Sequence, residues 1–127
     1  GNAIIASESF LKQNPEAVKA FLRAFTRGVK DVIADPKAGA ATVKARDGIV
    51  NEDLELRRLR LALEATVLTP DARAEGFGSV AGPRLALMAS QVADAFGTRE
   101  RINPDAVWNG SFLPPAAERN IFAVPRK

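Results

Sequence analysis

The sequence predicts a mainly α domain of about four helices preceded by one short N-terminal strand, and three features carry that expectation. Two Asx-Pro pairs, Asn14-Pro15 and Asp35-Pro36, each stand where an apolar-periodic run begins. Gly48 and Gly97 stand where later runs stop, as helix-terminating glycines do. The opening "NAIIAS" is short, apolar and β-prone at Ile4-Ile5, which suits one buried strand.

Each element follows from local chemistry. Ser7 is suited to cap a single helical turn with Phe10 and Leu11 on its buried side. At Asn14 the side-chain oxygen is placed to accept from a free first-turn N–H, and Pro15 lacks the N–H that would otherwise go unpaired there. Glu16 adds a negative charge at the positive end of the helix dipole. Val18, Phe21, Leu22, Phe25, Val29, Val32 and Ile33 then recur at spacings of three and four, giving one apolar stripe. Asp35-Pro36 repeats the start signal, and the second helix is expected to run to about Arg46.

Asn51 caps a third expected helix, with Glu52 and Asp53 in its first turn and a broad surface of Leu54, Leu56, Leu59, Leu61, Leu63 and Val67. Residues 68–79, "LTPDARAEGFGS", read as a loop because they carry one proline and two glycines. A fourth helix is expected from near Pro83, turning Leu85, Met88, Val92 and Phe96 inward. Asn103-Pro104 marks one more helical turn, after which the chain should be extended and pinned by Trp108, Phe112 and Leu113. Residues 1–127 are read as a single helical domain without repeats.

Composition narrows the function. Hydrophobic residues make up 46% and charged residues 26%, and no run approaches the roughly 20 apolar residues of a membrane span, so stable insertion is not expected. Cysteine, histidine and tyrosine are all absent. That removes thiolate chemistry, cysteine metal sites and the side chain best matched to proton transfer near neutral pH. No enzyme, no metal and no cofactor are expected. The net charge of +3 is small and its bases are interleaved with acids, whereas a phosphate-tracking surface clusters them beside stacking aromatics. Nucleic acid is therefore not an expected partner. Positions 1–30 lack the basic and apolar regions of a signal peptide, and the Gly1-Asn2-Ala3 start suits either a piece of a longer protein or removal of an initiator Met.

Motifs with possible chemistry each have a plainer reading. Gly76-Phe77-Gly78 precedes a helix, as phosphate-cradling loops do, but it lacks both the third glycine and a Gly-Lys-Ser/Thr ending, so a turn is favoured. Arg57, Arg58 and Arg60 spread around a helix and neighbour Glu52, Glu55 and Glu64, which favours a solvated, ion-paired face. Asp71 with Glu75, and Glu52 with Asp53, read as capping and loop solvation, since nothing in the sequence indicates a pocket that would set the two carboxyls of either pair apart in acidity. Trp108, the only Trp, is read chiefly as a tail anchor that could also stack on a ligand. Asn2, at the start of the apolar strand, is placed to hydrogen-bond a solute.

The Gly1-Asn2 opening followed by "SESFLKQNPEAVKAFLRAFTRGVKDVIADPKAGA" resembles the substrate-binding proteins of ABC importers. The resemblance is to the branch that includes nitrate, sulfonate, taurine and thiamine-pyrimidine-precursor binders. It rests on Phe10, Asn14, Pro15, Glu16, Val18, Ala20, Phe21, Ala24, Gly28, Asp35, Pro36 and Ala38. "GFGSVAGPRL", through Gly76, Gly78 and Arg84, and "NPDAVWNGSFLP", through Pro104, Phe112, Leu113 and Pro114, resemble later segments of that family.

The resemblance implies the C-terminal portion of a longer, two-lobed α/β protein of the periplasm or another extracytoplasmic space. Such a protein delivers a small polar or anionic organic solute to an ABC permease, from a cleft that segments outside this sequence would mostly build. Asn2, Arg84 and Trp108 are the ligand-binding candidates retained here. Helices detached from their lobe would carry exposed apolar patches and self-associate, so a homo-oligomer is expected. The alternative is a freestanding helical adaptor that docks a partner on the leucine face of residues 54–67.

Overall fold

A computed structural model describes residues 3–98, 100 and 102–124, and among these there are seven α-helices, a π-helical turn, a 3-10 turn and no strand. Most helix starts share one physical device, an oxygen-bearing side chain just ahead of proline or an acidic residue. In α1 (Glu8–Gln13) the Ser7 Oγ accepts from the Phe10 N–H at 3.2 Å. In α3 (Pro36–Arg46) Asp35 accepts from the Ala38 N–H at 3.0 Å, and in α4 (Glu52–Ala62) Asn51 accepts from the Leu54 N–H at 3.0 Å. Thr69 starts α5 (Pro70–Glu75) the same way, accepting from the Ala72 N–H at 3.2 Å.

Two helices start without a side-chain cap: α6 (Gly82–Phe96), preceded by Ala81, and α2 (Pro15–Ala34), where the Asn14 side chain makes no cap bond. Asn14 is instead the last residue of the preceding turn, with its own N–H donating to the Phe10 carbonyl, and Pro15 alone supplies the start. Helix α6 is closed by Gly97 in the left-handed conformation, and α7 (Pro104–Val107) follows it. A π-helical turn (Leu63–Val67) continues α4, and a 3-10 turn (Gly110–Phe112) follows α7.

Two expectations are corrected. The N-terminal strand does not form: residues 3–7 have no regular structure and Ile5 is almost fully exposed. A strand needs a neighbour to receive its backbone hydrogen bonds, and none is present among the described residues. The helix count is seven and not about four: the single turns expected after Ser7 and at Asn103-Pro104 form as α1 and α7, and α5, six residues long, falls below the length at which apolar periodicity registers. The segment read as the loop 68–79 contains α5, whose Thr69-Pro70 start is the same signal as Asp35-Pro36.

Helix α3 packs on α4, α2 packs on both α1 and α3, and the 3-10 turn rests on α2. Gly39 permits the close approach at this crossing, since a methyl group there would lie 3.3 Å from Leu59 Cδ2 and Val32 Cγ1. Ile33 of α2, Leu63 at the start of the π turn and Ile121 near the C-terminus form the buried core. Val29, Val32, Leu59, Val67, Leu68, Phe77 and Phe122 pack around it. Thr26, the one buried polar residue among those described, is satisfied by donating its hydroxyl to the Leu22 carbonyl at 2.8 Å.

The C-terminal strap holds this core closed. Its Arg119 Nε donates to the Pro114 carbonyl at 2.9 Å. Arg119 Nη1 reaches across to the Glu75 and Phe77 carbonyls at 3.2 Å each and to Ser79 Oγ at 2.6 Å. In return the Phe77 N–H donates to the Arg119 carbonyl at 3.1 Å. Gly76 makes room for this: at φ 84, ψ 151 it occupies backbone space open essentially to glycine alone, and a Cβ there would sit 2.8 Å from Arg119 Nη1. Arg73 stacks 3.9 Å over the Phe122 ring, and Arg23 pairs with Glu118 at 2.8 Å. The tail is thus a run of turns fixed by Arg119 and Ile121, while Trp108 is only half-buried.

Ile121 is 0% exposed, so Ile121→Ala leaves a cavity among Ile33, Leu63 and Phe77 and should cost about 2–5 kcal/mol in chemical denaturation. Arg119→Ala removes donors from three carbonyls and one hydroxyl in partly buried surroundings and should cost about 2 kcal/mol in the same measurement. Arg23→Ala, by contrast, breaks only a half-exposed ion pair and should change stability by less than about 1 kcal/mol.

Candidate functional site

The three residues singled out as ligand contacts do not converge. Asn2 lies outside the described residues. Arg84 projects from the first turn of α6, exposed, with its Nη1 donating to Asp71 at 3.0 Å. Trp108 ends α7, half-buried, with its Nε1 beside the Cα of Gly110. Among the described residues no hydrogen bond, ion pair or cation–π contact joins Arg84 to Trp108. Neither residue lines the one depression described below.

The motifs with possible chemistry take their plainer readings. In the glycine turn the Gly76 N–H donates to the Ala72 carbonyl, the Phe77 N–H to Arg119 and the Ser79 N–H to Gly76. These amides are committed inside the chain, so the turn does not present them to an anion. Arg58 pairs with Glu55 one turn away at 2.6 Å, and Arg57 and Arg60 are exposed. Asp71 is the partner of Arg84, and the one backbone carbonyl of Glu75 accepts from both Arg119 and the Ser79 hydroxyl. Among the described residues no group of three or more carboxylates is arranged to hold a metal ion.

What the fold does position is apolar surface. The depression is an open groove of about 330 Å³ between α2, α3 and α4, floored by Val32, Ala40, Val43, Leu59 and Ala62, with the Glu55–Arg58 ion pair at its rim. Nothing on its floor can orient a polar solute by hydrogen bonds. A second surface lies along α2, where Phe21 and Phe25 stack at 6.2 Å and Phe25 meets Phe77 at 6.4 Å between ring centroids. The row runs from the core edge at Phe77 out to Phe21, which is 55% exposed. Phe10 on α1 is exposed as well.

A third apolar surface belongs to α6, which buries no residue and packs chiefly on the four-residue α7. Leu85 is half-buried, but Met88, Val92 and Phe96, expected to turn inward, are exposed. The periodicity identified an apolar face correctly and could not say whether this chain supplies a partner for it. Arg119 and Phe77 were not foreseen as organising residues. The signal available for Phe77 was its position between two glycines, which frees the turn to bring the ring onto Phe25.

No helix among the described residues is long and apolar enough to cross a membrane. Residues 1–39 match the sequence model of the family described as NMT1/THI5 like. The matched stretch takes in α1, all of α2 and the first turn of α3, and with them the Asn14-Pro15 and Asp35-Pro36 starts. No curated protein and no solved structure matches the chain. Similarity to a solute-binding lineage therefore attaches to α1, α2 and the first turn of α3, the segment that also carries the exposed Phe10, Phe21 and Phe25.

Proposed function

We propose that this chain is a supporting part of the solute-binding component of an ABC importer. In that role it acts outside the cytoplasm, without catalysis, and its larger protein delivers a small polar or anionic organic solute to a permease. The observation that carries the reading is a coincidence. The stretch similar to the NMT1/THI5-like family is the same stretch that leaves the rings of Phe10, Phe21 and Phe25 exposed among the described residues.

A free-standing fold of this size would bury most of its large apolar side chains. Here the rings of Phe10, Phe21 and Phe25 are left open, as they would be if they rest on polypeptide supplied from elsewhere. The surface that the chain offers is apolar and wide, which suits a buttress. A solute of the proposed class would need convergent polar groups, and those would come from segments beyond these residues. By moving as one packed unit, α2, α3 and α4 would keep that larger protein stiff while it closes on its solute.

Gly28 fits the same reading. It sits inside α2, where glycine costs about 1 kcal/mol relative to alanine, yet a Cβ added there would meet nothing within 4 Å. Nothing among the described residues requires its small size. Gly28→Ala should therefore stabilise residues 1–127 by about 0.5–1 kcal/mol in denaturation experiments. The same substitution should give no gain, or a loss, in the longer protein, where a neighbouring backbone meets this position. An equal gain in both would remove Gly28 from the docking face.

Solute binding separates the reading from its rivals. Thermal-shift titrations of residues 1–127 with nitrate, taurine, an alkyl sulfonate, a dicarboxylate and a hydroxymethylpyrimidine should show no saturable change. The longer protein should respond to one of them. A saturable micromolar ligand on residues 1–127 alone would place the site within this chain and overturn the buttress assignment.

A further inference from the structure

One guanidinium joins two points that lie far apart in the sequence. Arg119 donates through Nε to the Pro114 carbonyl and through Nη1 to Glu75, Phe77 and Ser79. Beside it, Leu113 Cδ2 lies 3.4 Å from where a Cβ on Gly78 would stand. The stretch that leaves after Ser79 and returns at Gly110 is therefore tied at its neck. Within it, residues 80–109 hold α6 and α7. No described residue of this stretch belongs to the buried cluster of Ile33, Leu63 and Ile121 or to the apolar shell packed on it.

Beyond the neck the packing is thin. Helix α6 buries no residue, and its most covered positions, Leu85, Ala89 and Ala93 at four-residue spacing, are only half-buried. Its chief neighbour is α7, a single turn. A helix of fifteen residues is marginal in water by itself. Among the described residues one ion pair ties this stretch to the rest of the chain: Arg84 with Asp71 of α5, at 3.0 Å and well exposed on both sides.

We propose that residues 80–109 are a hinged arm that opens and recloses as a unit while α2, α3, α4 and the strap stay folded, and that the Arg84–Asp71 pair is its latch. With both ends fixed by Arg119, opening returns chain entropy to the arm and disturbs no core contact. The latch is weak, because an exposed pair gains little in water and is screened by salt. Opening α2, by contrast, requires Ile121 to leave its cluster and Arg119 to release its acceptors. The low-stability end of a structure is where moving elements are found, and here it is a continuous stretch with a closed base. The inference stands apart from the transport reading, since the arm lies outside residues 1–39.

Native-state amide exchange of residues 1–127, resolved by residue, tests it. Protection of the α6 amides should be measurable but at least about 100-fold lower than protection around Ile33. Ile121→Ala should lower protection in α2 and leave α6 unchanged. Arg84→Ala, at an exposed position, should do the reverse, speeding exchange in α6 about two- to fivefold with no change in α2. Raising NaCl from about 0.05 M to about 1 M should speed α6 exchange in the same way, and Arg84→Ala should not respond to that change.

Equal opening free energies in α6 and α2, or a common loss of protection in both helices on Ile121→Ala, would make the chain one cooperative unit and overturn the proposal. So would an α6 with no protection at all, since an arm that never closes has no latch. A salt response that persists in Arg84→Ala would equally sink the assignment of the latch to this ion pair.

Discussion

The contact on which the rest of this structure depends is made by the C-terminal strap, where Ile121 enters the gap between α2 and the π turn and Arg119 holds it there. The helices alone do not enclose a core. Leu63 and Ile33 come from different segments, and the third buried member of their cluster, Ile121, comes from the far end of the sequence. An apolar side chain can fill the gap, but it cannot hold the strap in place against the entropy of a free tail. Arg119 supplies the missing direction. Its planar guanidinium ties Pro114 on the strap to Glu75, Phe77 and Ser79 in the glycine turn, and a lysine, with a single rotating ammonium, could not span the same acceptors.

Seen from this centre, the molecule has an imbalance between what it buries and what it exposes. Four apolar residues are buried among those described, while fifteen large ones remain open. A stability margin of a few kcal/mol therefore rests on a few side chains, and the rest of the apolar content contributes little to closing the fold. Exposed leucines scattered singly would need no account. Here seven of the fifteen gather in three places: Phe21 and Phe25 on α2, Val43 beside the groove lined by α2, α3 and α4, and Leu87, Met88, Val92 and Phe96 on α6. Sequence periodicity as regular as that of α2 arises where a helix is meant to lie on something. The exposed rings of α1 and α2 coincide with the family similarity of residues 1–39, and that coincidence is what supports the proposed supporting role.

The local features of this fold were legible in the sequence, and the long-range ones were not. Side-chain oxygens ahead of proline or acid placed α3, α4 and α7 to within a residue, because a cap is a contact over three positions. The same chemistry at Thr69-Pro70 was masked by the two glycines that follow, so α5 was read as loop. Ile4-Ile5 has the composition of a strand but no partner to pair with, and pairing is a property of two segments. Arg119 was invisible for a similar reason: its acceptors lie some forty residues away, and nothing in its neighbourhood marks it. Among the candidate ligand residues, Arg84 was found as an exposed cation with a different partner, Asp71.

Three glycines show how far physical reading can separate the chain's own needs from those imposed on it. Gly76 is required here, since its backbone conformation excludes a side chain and Arg119 occupies the space one would take. Gly39 is required here too, because Leu59 and Val32 close on it at the crossing of α2, α3 and α4. Gly28 has neither reason: its backbone is ordinary helix and no atom approaches the vacant position. Among the described residues, then, no contact accounts for a glycine at this position of α2. The exposed rings of Phe21 and Phe25 lie on the same helix, one and two turns before it. Gly28 and these two rings are therefore what the proposed docking of α2 rests on, while Val29, Val32 and Ile33 of the same helix serve the chain's own core.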